Sequence, residues 1–119
     1  MICAETIDDS EEPKNNPKMN DKKEEIMSKF NLGRIMMSRG IADYIEDNTE
    51  FHCEILDYLR RYIHCDWGNL CNDDKIMNDL AVKNNDDRIL ASYNSSKGKI
   101  YIITEWDRSC TTILLAKEY

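Results

Sequence analysis

The sequence predicts an α+β fold in which about three helices pack on one face of a three- or four-stranded antiparallel sheet. Two patterns lead to this expectation. Apolar residues at helical spacing dominate the middle of the chain, and short apolar runs separated by polar turns dominate its last third. The late strands should form a C-terminal β-meander, with the helices as a second layer. A chain of 119 residues suits a single domain.

The first 29 residues are predicted to be a polar, acidic N-terminal tail, and residues 30–119 the compact domain. The stretch DDSEEPKNNPKMNDKKEE contains both prolines, and its one large apolar residue is Met19. Such a composition buries too little apolar surface to offset the entropy lost on ordering. We therefore expect disorder in the tail, or a frayed helix over residues 21–29.

The domain begins with a short predicted strand at 34–38, in the run GRIMMS, and a short helix at 40–48. Thr49 is expected to cap a second, longer helix with a continuous apolar face. That face consists of Phe51, Ile55, Leu59, Tyr62 and Ile63. This is the strongest helical pattern in the chain, and its apolar side is expected to enter the core.

The segment CDWGNLCNDD interrupts the helical pattern. Asp66 is expected to cap a single helical turn, and Asn72 or Asp73 to cap a third helix at 74–83. The apolar positions of that helix are Ile76, Met77, Leu80 and Ala81. The run NNDD should end the helix and connect it to the sheet.

Three strands are predicted at residues 88–93, 99–105 and 110–116. The loop NSSKG should join the first two as a hairpin, since Gly98 can adopt a positive φ. The second strand has an unbroken apolar run. This run indicates a central strand covered on both faces, or on one face with a partner on the other.

The turn between the last two strands, residues 105–109, carries three charges and a tryptophan but neither Gly nor Pro. We interpret it first as a hairpin turn and second as a binding epitope. In a turn, Asp107 would accept backbone N–H groups, and Arg108 would pair with Glu105 or with an acid of the third helix. Trp106 would be either a lid over the edge of the core or an exposed aromatic.

The net charge of the chain is −7. Residues 1–30 contribute −3 (5 Lys against 8 Asp and Glu), and the remainder contributes −4. There is no basic stripe, so direct binding to a nucleic-acid backbone is disfavoured. The acidity fits ordinary solubility. It also fits a negative surface that meets a basic, nucleic-acid-binding protein.

The N-terminus lacks the basic start and apolar stretch of a signal peptide, and no apolar run exceeds four residues. A cytoplasmic protein without membrane contact is therefore expected. The five cysteines should then be free thiols. No cofactor or metal is predicted, because no common zinc module has the spacing of His52, Cys53, His64, Cys65 and Cys71.

An enzymatic alternative is a small metal-dependent nuclease, or a toxin-like ribonuclease, with a carboxylate cluster of Glu105, Asp107 and Asp66. An acidic protein would bind nucleic acid poorly, and the predicted helix separates His52 from His64 by about 18 Å. The sequence contains no nucleophile elbow, phosphate loop or HExxH motif. A non-enzymatic protein is therefore favoured, and no catalytic residue is assigned.

Four segments resemble a family of short bacterial proteins encoded on plasmids, phages and integrated elements: GRIMMSRGIADYI, DWGNLCNDDKIMND, RILASY and KIYIITEWDRSCTTILLAKEY. The resemblance spans about residues 33–119. Members are often labelled plasmid-related protein and have no established activity. Some carry a type I restriction label, but this chain lacks the Gly-rich cofactor loop and catalytic motif of a methylation subunit. The resemblance implies a mobile-element accessory protein, and such proteins often act against host restriction or CRISPR nucleases.

The sequence thus predicts a protein that binds a partner protein through an acidic surface. The resemblance implies that it inhibits a nucleic-acid-binding nuclease, as an anti-CRISPR or anti-restriction protein. The candidate surface residues are Asp66, Trp67, Asp73, Asp74, Asp86, Asp87, Glu105, Trp106, Asp107 and Arg108.

Two alternatives concern how the chain meets other molecules. Trp67 is most simply an anchor of the core, but if it were exposed beside Trp106 it would be a binding hot spot. Homodimerisation is the second alternative, because helices on one side of a sheet leave the other side uncovered. The residues expected to form that open face are Ile100, Ile102, Ile113 and Leu115.

Overall fold

The structure, a computed structural model, has the predicted α+β fold class and describes residues 2–3 and 29–119. No helix in this part of the chain is long and apolar enough to cross a membrane. In chain order the elements are β1 (Ile2–Cys3), β2 (Arg34–Met37), α1 (Arg39–Asp47), α2 (Thr49–Ile63), α3 (Asn72–Asn84), β3 (Ile89–Ser95), β4 (Gly98–Thr104), β5 (Cys110–Leu115) and the 3₁₀-helix Ala116–Glu118.

The strands form one mixed sheet in the order β1-β2-β5-β4-β3. The last three strands make the predicted antiparallel meander, in which Ile100 lies opposite both Tyr93 and Leu115. β2 pairs in parallel with β5, and this corrects the prediction of a purely antiparallel sheet. Parallel neighbours need a long crossover, and the chain between β2 and β5 supplies one that includes all three helices.

The N-terminal boundary of the domain also differs from the prediction. β1 pairs antiparallel with β2, and Ile2 lies opposite Met37. This corrects the prediction that residues 1–29 lie wholly outside the domain. Residues 4–28, which hold most of the predicted tail and its frayed helix, lie outside the described residues.

The core lies between the sheet and helices α1 and α2. Phe51, Ile55 and Tyr62 of α2 are buried, whereas Leu59 and Ile63 are partly buried. Four sheet residues on the same side are at most 3 % exposed: Ile100, Ile102, Ile113 and Leu115. The face predicted for a homodimer is therefore not open, because these residues already pack against the helices.

The helix starts differ in detail from the prediction. Asn48, not Thr49, is the N-cap of α2, and its side chain accepts the Phe51 N–H at 3.0 Å. Asn is among the best N-cap residues and ranks above Thr. α3 starts earlier than predicted, with Cys71 as its N-cap, so neither Asn72 nor Asp73 has that role.

The outer edge of β3 is covered by polar groups from other parts of the chain. The Asn78 side chain on α3 donates to the Leu90 carbonyl at 2.8 Å and accepts the Leu90 N–H at 3.3 Å. Residues 67–69 form a short parallel bridge to Ser92, which replaces the predicted helical turn. A Cβ on Gly68 would lie 2.0 Å from the Ser92 oxygen, so this approach requires glycine. Both contacts block the strand pairing that an open edge invites.

Helix α3 exposes its large apolar residues, which is the reverse of an ordinary amphipathic helix. Its buried residues are Asn78 and Ala81. The other three apolar positions predicted from the sequence point outward: Ile76, Met77 and Leu80 are 55 %, 57 % and 45 % exposed. Polar contacts, together with the packing of Ala81 and Val82 against the core, therefore fix this helix against the sheet edge.

We expect Asn78→Ala to lower the free energy of unfolding by about 1–3 kcal/mol, because it leaves the Leu90 backbone groups without their partner. Urea denaturation followed by circular dichroism would measure the change. Asn84→Ala, at the exposed end of the same helix, is the control and should change stability by less than about 0.5 kcal/mol. Equal effects of the two substitutions would contradict the edge-covering role of Asn78.

Candidate partner-binding surface

The Arg108 side chain joins three segments of the chain. It is 6 % exposed. Its Nη1 donates to the carbonyls of Asp87 (2.7 Å), Glu105 (3.2 Å) and Trp106 (3.2 Å), and its Nη2 donates to that of Ala81 (2.8 Å). One guanidinium therefore holds the last turn of α3, the entry to β3 and the β4–β5 turn together.

The β4–β5 turn has the local bonds predicted for a hairpin turn. The Asp107 carboxylate accepts the Ser109 N–H at 3.0 Å, and the Glu105 N–H donates to the Cys110 carbonyl at 3.0 Å. The predicted ion pair of Arg108 with Glu105 or with an α3 acid is wrong, because the guanidinium bonds backbone carbonyls instead. Carbonyls at a helix C-terminus carry partial negative charge and suit a buried cation.

Exposed carboxylates lie at both ends of α3. Residues 72–87 contain five Asp and two Lys, a net charge of −3. The two ion pairs among residues 29–119 join Arg60 to Asp57 and Arg61 to Asp66, so the acids around α3 have no basic partner in this part of the chain. We call the following five residues the α3 acidic surface: Asp73 and Asp74 in the first turn, Asp86 and Asp87 after the last turn, and Asp107 in the β4–β5 turn.

Trp106 lies in the same turn as Asp107 and is 65 % exposed. Of the two alternatives predicted for Trp106, the structure shows an exposed aromatic side chain and not a lid over the edge of the core. Glu105 is partly buried. Because Arg108 bonds the carbonyls of both Trp106 and Ala81, the backbone of Trp106 is held near the C-terminal end of α3.

Trp67 is an anchor of the core. It is 3 % exposed, and its ring centroid lies 5.5 Å from that of Tyr62 in an edge-on contact. Its indole N–H donates to Asp79 of α3 at 2.9 Å, which gives α3 a further polar attachment. Trp67 and Arg108, both candidates from the sequence, are thus buried and offer no surface to a partner.

The Asp66 carboxylate is engaged in hydrogen bonds with its own neighbours. Its carboxylate accepts the Arg61 Nε at 2.8 Å and the Gly68 N–H at 3.2 Å. The hydrogen bond from Arg61 holds the pKa of Asp66 below its ordinary value of 3.8, against an opposing effect of burial. Asp66 therefore orients the segment that bridges to β3.

The carboxylates of the nuclease alternative do not form one site. Asp66 is engaged by Arg61, whereas Glu105 and Asp107 lie in the β4–β5 turn. Within residues 29–119, no three His, Cys, Asp or Glu side chains are placed to hold a metal ion. The cysteines of this range are free thiols: Cys53, Cys65, Cys71 and Cys110.

Comparisons with known proteins identify no relative: no protein-family model, curated protein or solved structure matches the chain. The resemblance to mobile-element proteins therefore stays a prediction.

We expect Arg108→Ala to lower the free energy of unfolding by about 3 kcal/mol or more, because four carbonyls lose a buried charged donor. Arg108→Lys should recover little of this loss, since an ammonium cannot span the same carbonyls. Arg60→Ala, at an exposed arginine of α2, is the control and should cost less than about 0.5 kcal/mol. Chemical denaturation measures all three, and an Arg108→Ala variant as stable as the control would contradict the structural role of Arg108.

Lowering the pH should destabilise the folded protein, in part because it protonates the Asp66 carboxylate. A carboxyl whose pKa is lowered by folding contributes stability above its unfolded pKa and loses it as the pH falls through the folded value. Asp66→Asn should therefore make the stability depend less on pH between about pH 4 and pH 2. Near neutral pH the same substitution should lower the free energy of unfolding by less than about 1 kcal/mol. Denaturation at several pH values measures this. Asp43→Asn, at an exposed acid of α1, should leave the slope unchanged.

Proposed function

We propose that this chain is a non-enzymatic binding protein that engages a basic partner protein through the α3 acidic surface. The observation that carries the proposal is that the five carboxylates around α3 have no basic partner within the described residues. The segments that carry these carboxylates are held together, because the Arg108 guanidinium bonds backbone carbonyls of both α3 and the β4–β5 turn.

The proposed mechanism is competition for cationic side chains. Carboxylates on a fixed helix can bind the Lys and Arg residues that a nucleic-acid-binding protein presents to phosphates. Opposite charge on the two surfaces would accelerate encounter and disfavour acidic partners. The exposed Trp106 indole would add an aromatic anchor, a residue type enriched at binding hot spots.

The proposed partner is a nuclease of a bacterial defence system. The acidic balance of the whole chain supports a basic partner, and the resemblance to mobile-element proteins supports a host defence target. An anti-CRISPR or anti-restriction inhibitor would satisfy both.

We expect the full chain to reduce DNA binding by at least one member of a panel of purified CRISPR and type I restriction nucleases. Gel-shift assays between about 50 and 500 mM salt would measure the effect, which should weaken as charges are screened. The variant Asp73→Lys/Asp74→Lys/Asp107→Asn should lose most of the inhibition.

The matched control is Asp43→Lys/Glu46→Lys/Asp47→Asn, which makes the same charge change on exposed residues of α1. It should retain inhibition if the α3 acidic surface is the binding site. Equal loss in both variants would indicate a general charge effect. Inhibition that is independent of salt would count against the carboxylates as the main contact.

A further inference from the structure

The exposed apolar residues of α3 form a continuous stripe. Ile76 and Leu80 are one turn apart, and Met77 lies beside them; we call these three residues the α3 stripe. Each is about half exposed although all are large and apolar. Scattered apolar residues are ordinary on protein surfaces, but a contiguous group is characteristic of interaction sites.

The stripe faces outward because the opposite side of α3 is specifically bonded to the body. Asn78 pairs with Leu90, Asp79 accepts the Trp67 indole N–H, and the Ala81 carbonyl accepts Arg108. These contacts fix the rotation of the helix about its axis. The stripe therefore cannot turn into the core without breaking all of them.

A shallow cleft runs beside the stripe. Its volume is about 210 Å³, and Met77 belongs to both the cleft and the stripe. Leu70 and Leu90 supply its apolar wall, and Asp74 and Arg88 are its charged members. A cleft of this size suits one large apolar side chain of a partner, the type of pocket in which interface anchors sit.

We propose that the α3 stripe docks an amphipathic helix of the partner, with leucine-like residues on one face and Lys or Arg on its flanks. Helix-on-helix docking uses apolar anchors at i, i+3 and i+4, which matches the spacing of Ile76 and Leu80. Asp73 and Asp74 at one end of α3, and Asp86 and Asp87 beyond the other, would meet the basic flanks. This inference rests on the proposed function and specifies the partner segment.

The negative charge around the α3 stripe favours a basic amphipathic helix as its partner over a second copy of the chain or a membrane. The net charge of −3 over residues 72–87 would repel the same surface on another copy. It would likewise repel an anionic lipid surface. Three side chains also bury far less than the roughly 800 Å² per partner of a standard interface, so flanking ion pairs must contribute.

The test uses a fluorescein-labelled peptide of two Leu-Lys-Lys-Leu-Leu-Lys-Leu heptads, about 20 Å long as a helix and comparable to the 13 residues of α3. A peptide of the same composition, reordered to have no apolar face, is the comparison. Fluorescence anisotropy with the full chain should show tighter binding of the amphipathic peptide by about tenfold or more. Hydrogen exchange should show protection concentrated in α3.

Three variants separate the contributions to binding. Ile76→Ser/Met77→Ser/Leu80→Ser should weaken peptide binding by about tenfold or more. Asp73→Asn/Asp74→Asn should weaken it less and reduce its salt dependence. Leu56→Ser, at an exposed apolar residue of α2, should leave binding unchanged.

Several outcomes would overturn the inference about the stripe. They are equal binding of the two peptides, unchanged binding by the triple serine variant, protection outside α3, and self-association that the triple serine variant abolishes. Retained nuclease inhibition by the triple serine variant would also overturn it and leave the proposed function standing. Loss of inhibition in the charge-changed α3 variant and its α1 control alike would instead remove the proposed function.

Discussion

The buried Arg108 guanidinium is the interaction on which the arrangement of this protein depends. Taking an arginine out of water costs several kcal/mol unless its N–H groups find good acceptors. Here the acceptors are four backbone carbonyls from three segments: the last turn of α3, the entry to β3 and the β4–β5 turn itself. The residue is therefore tolerated in the interior only when all three segments are in place, which couples the position of α3 to that of the β4–β5 turn.

The polar attachment of α3 explains why its surface differs from that of α1 and α2. The first two helices bury apolar residues against the sheet, and those residues are unavailable to other molecules. α3 is held through an amide, an indole N–H and a guanidinium, so its large apolar residues are not required for folding. A helix fixed in this way can present an apolar and acidic surface without losing its place in the fold.

The sequence was informative where a local pattern determines structure. The meander strands and α2 were predicted near their observed positions, because apolar spacing reports which face of an element is buried. Spacing could not show that β2 pairs in parallel with β5, since neighbours in a sheet are set by the whole topology. It also could not show that the apolar side of α3 faces solvent. The burial of Asn78 and Arg108 contradicts the ordinary preference of both residue types for water, and no local pattern marks either position.

The position of β5 has a consequence for how the protein is made. β5 is the last of the five strands in chain order, yet it lies between β2 and β4 in the sheet. While β5 is still inside the ribosome, the β1–β2 pair and the β3–β4 hairpin have no strand to connect them. The pairing of β2 with β5 joins residues 34–37 to residues 110–113, the kind of non-local pairing that slows folding. The sheet can therefore close only after synthesis has passed Leu115, and a nascent chain stopped before that point exposes two unpaired strand edges to aggregation.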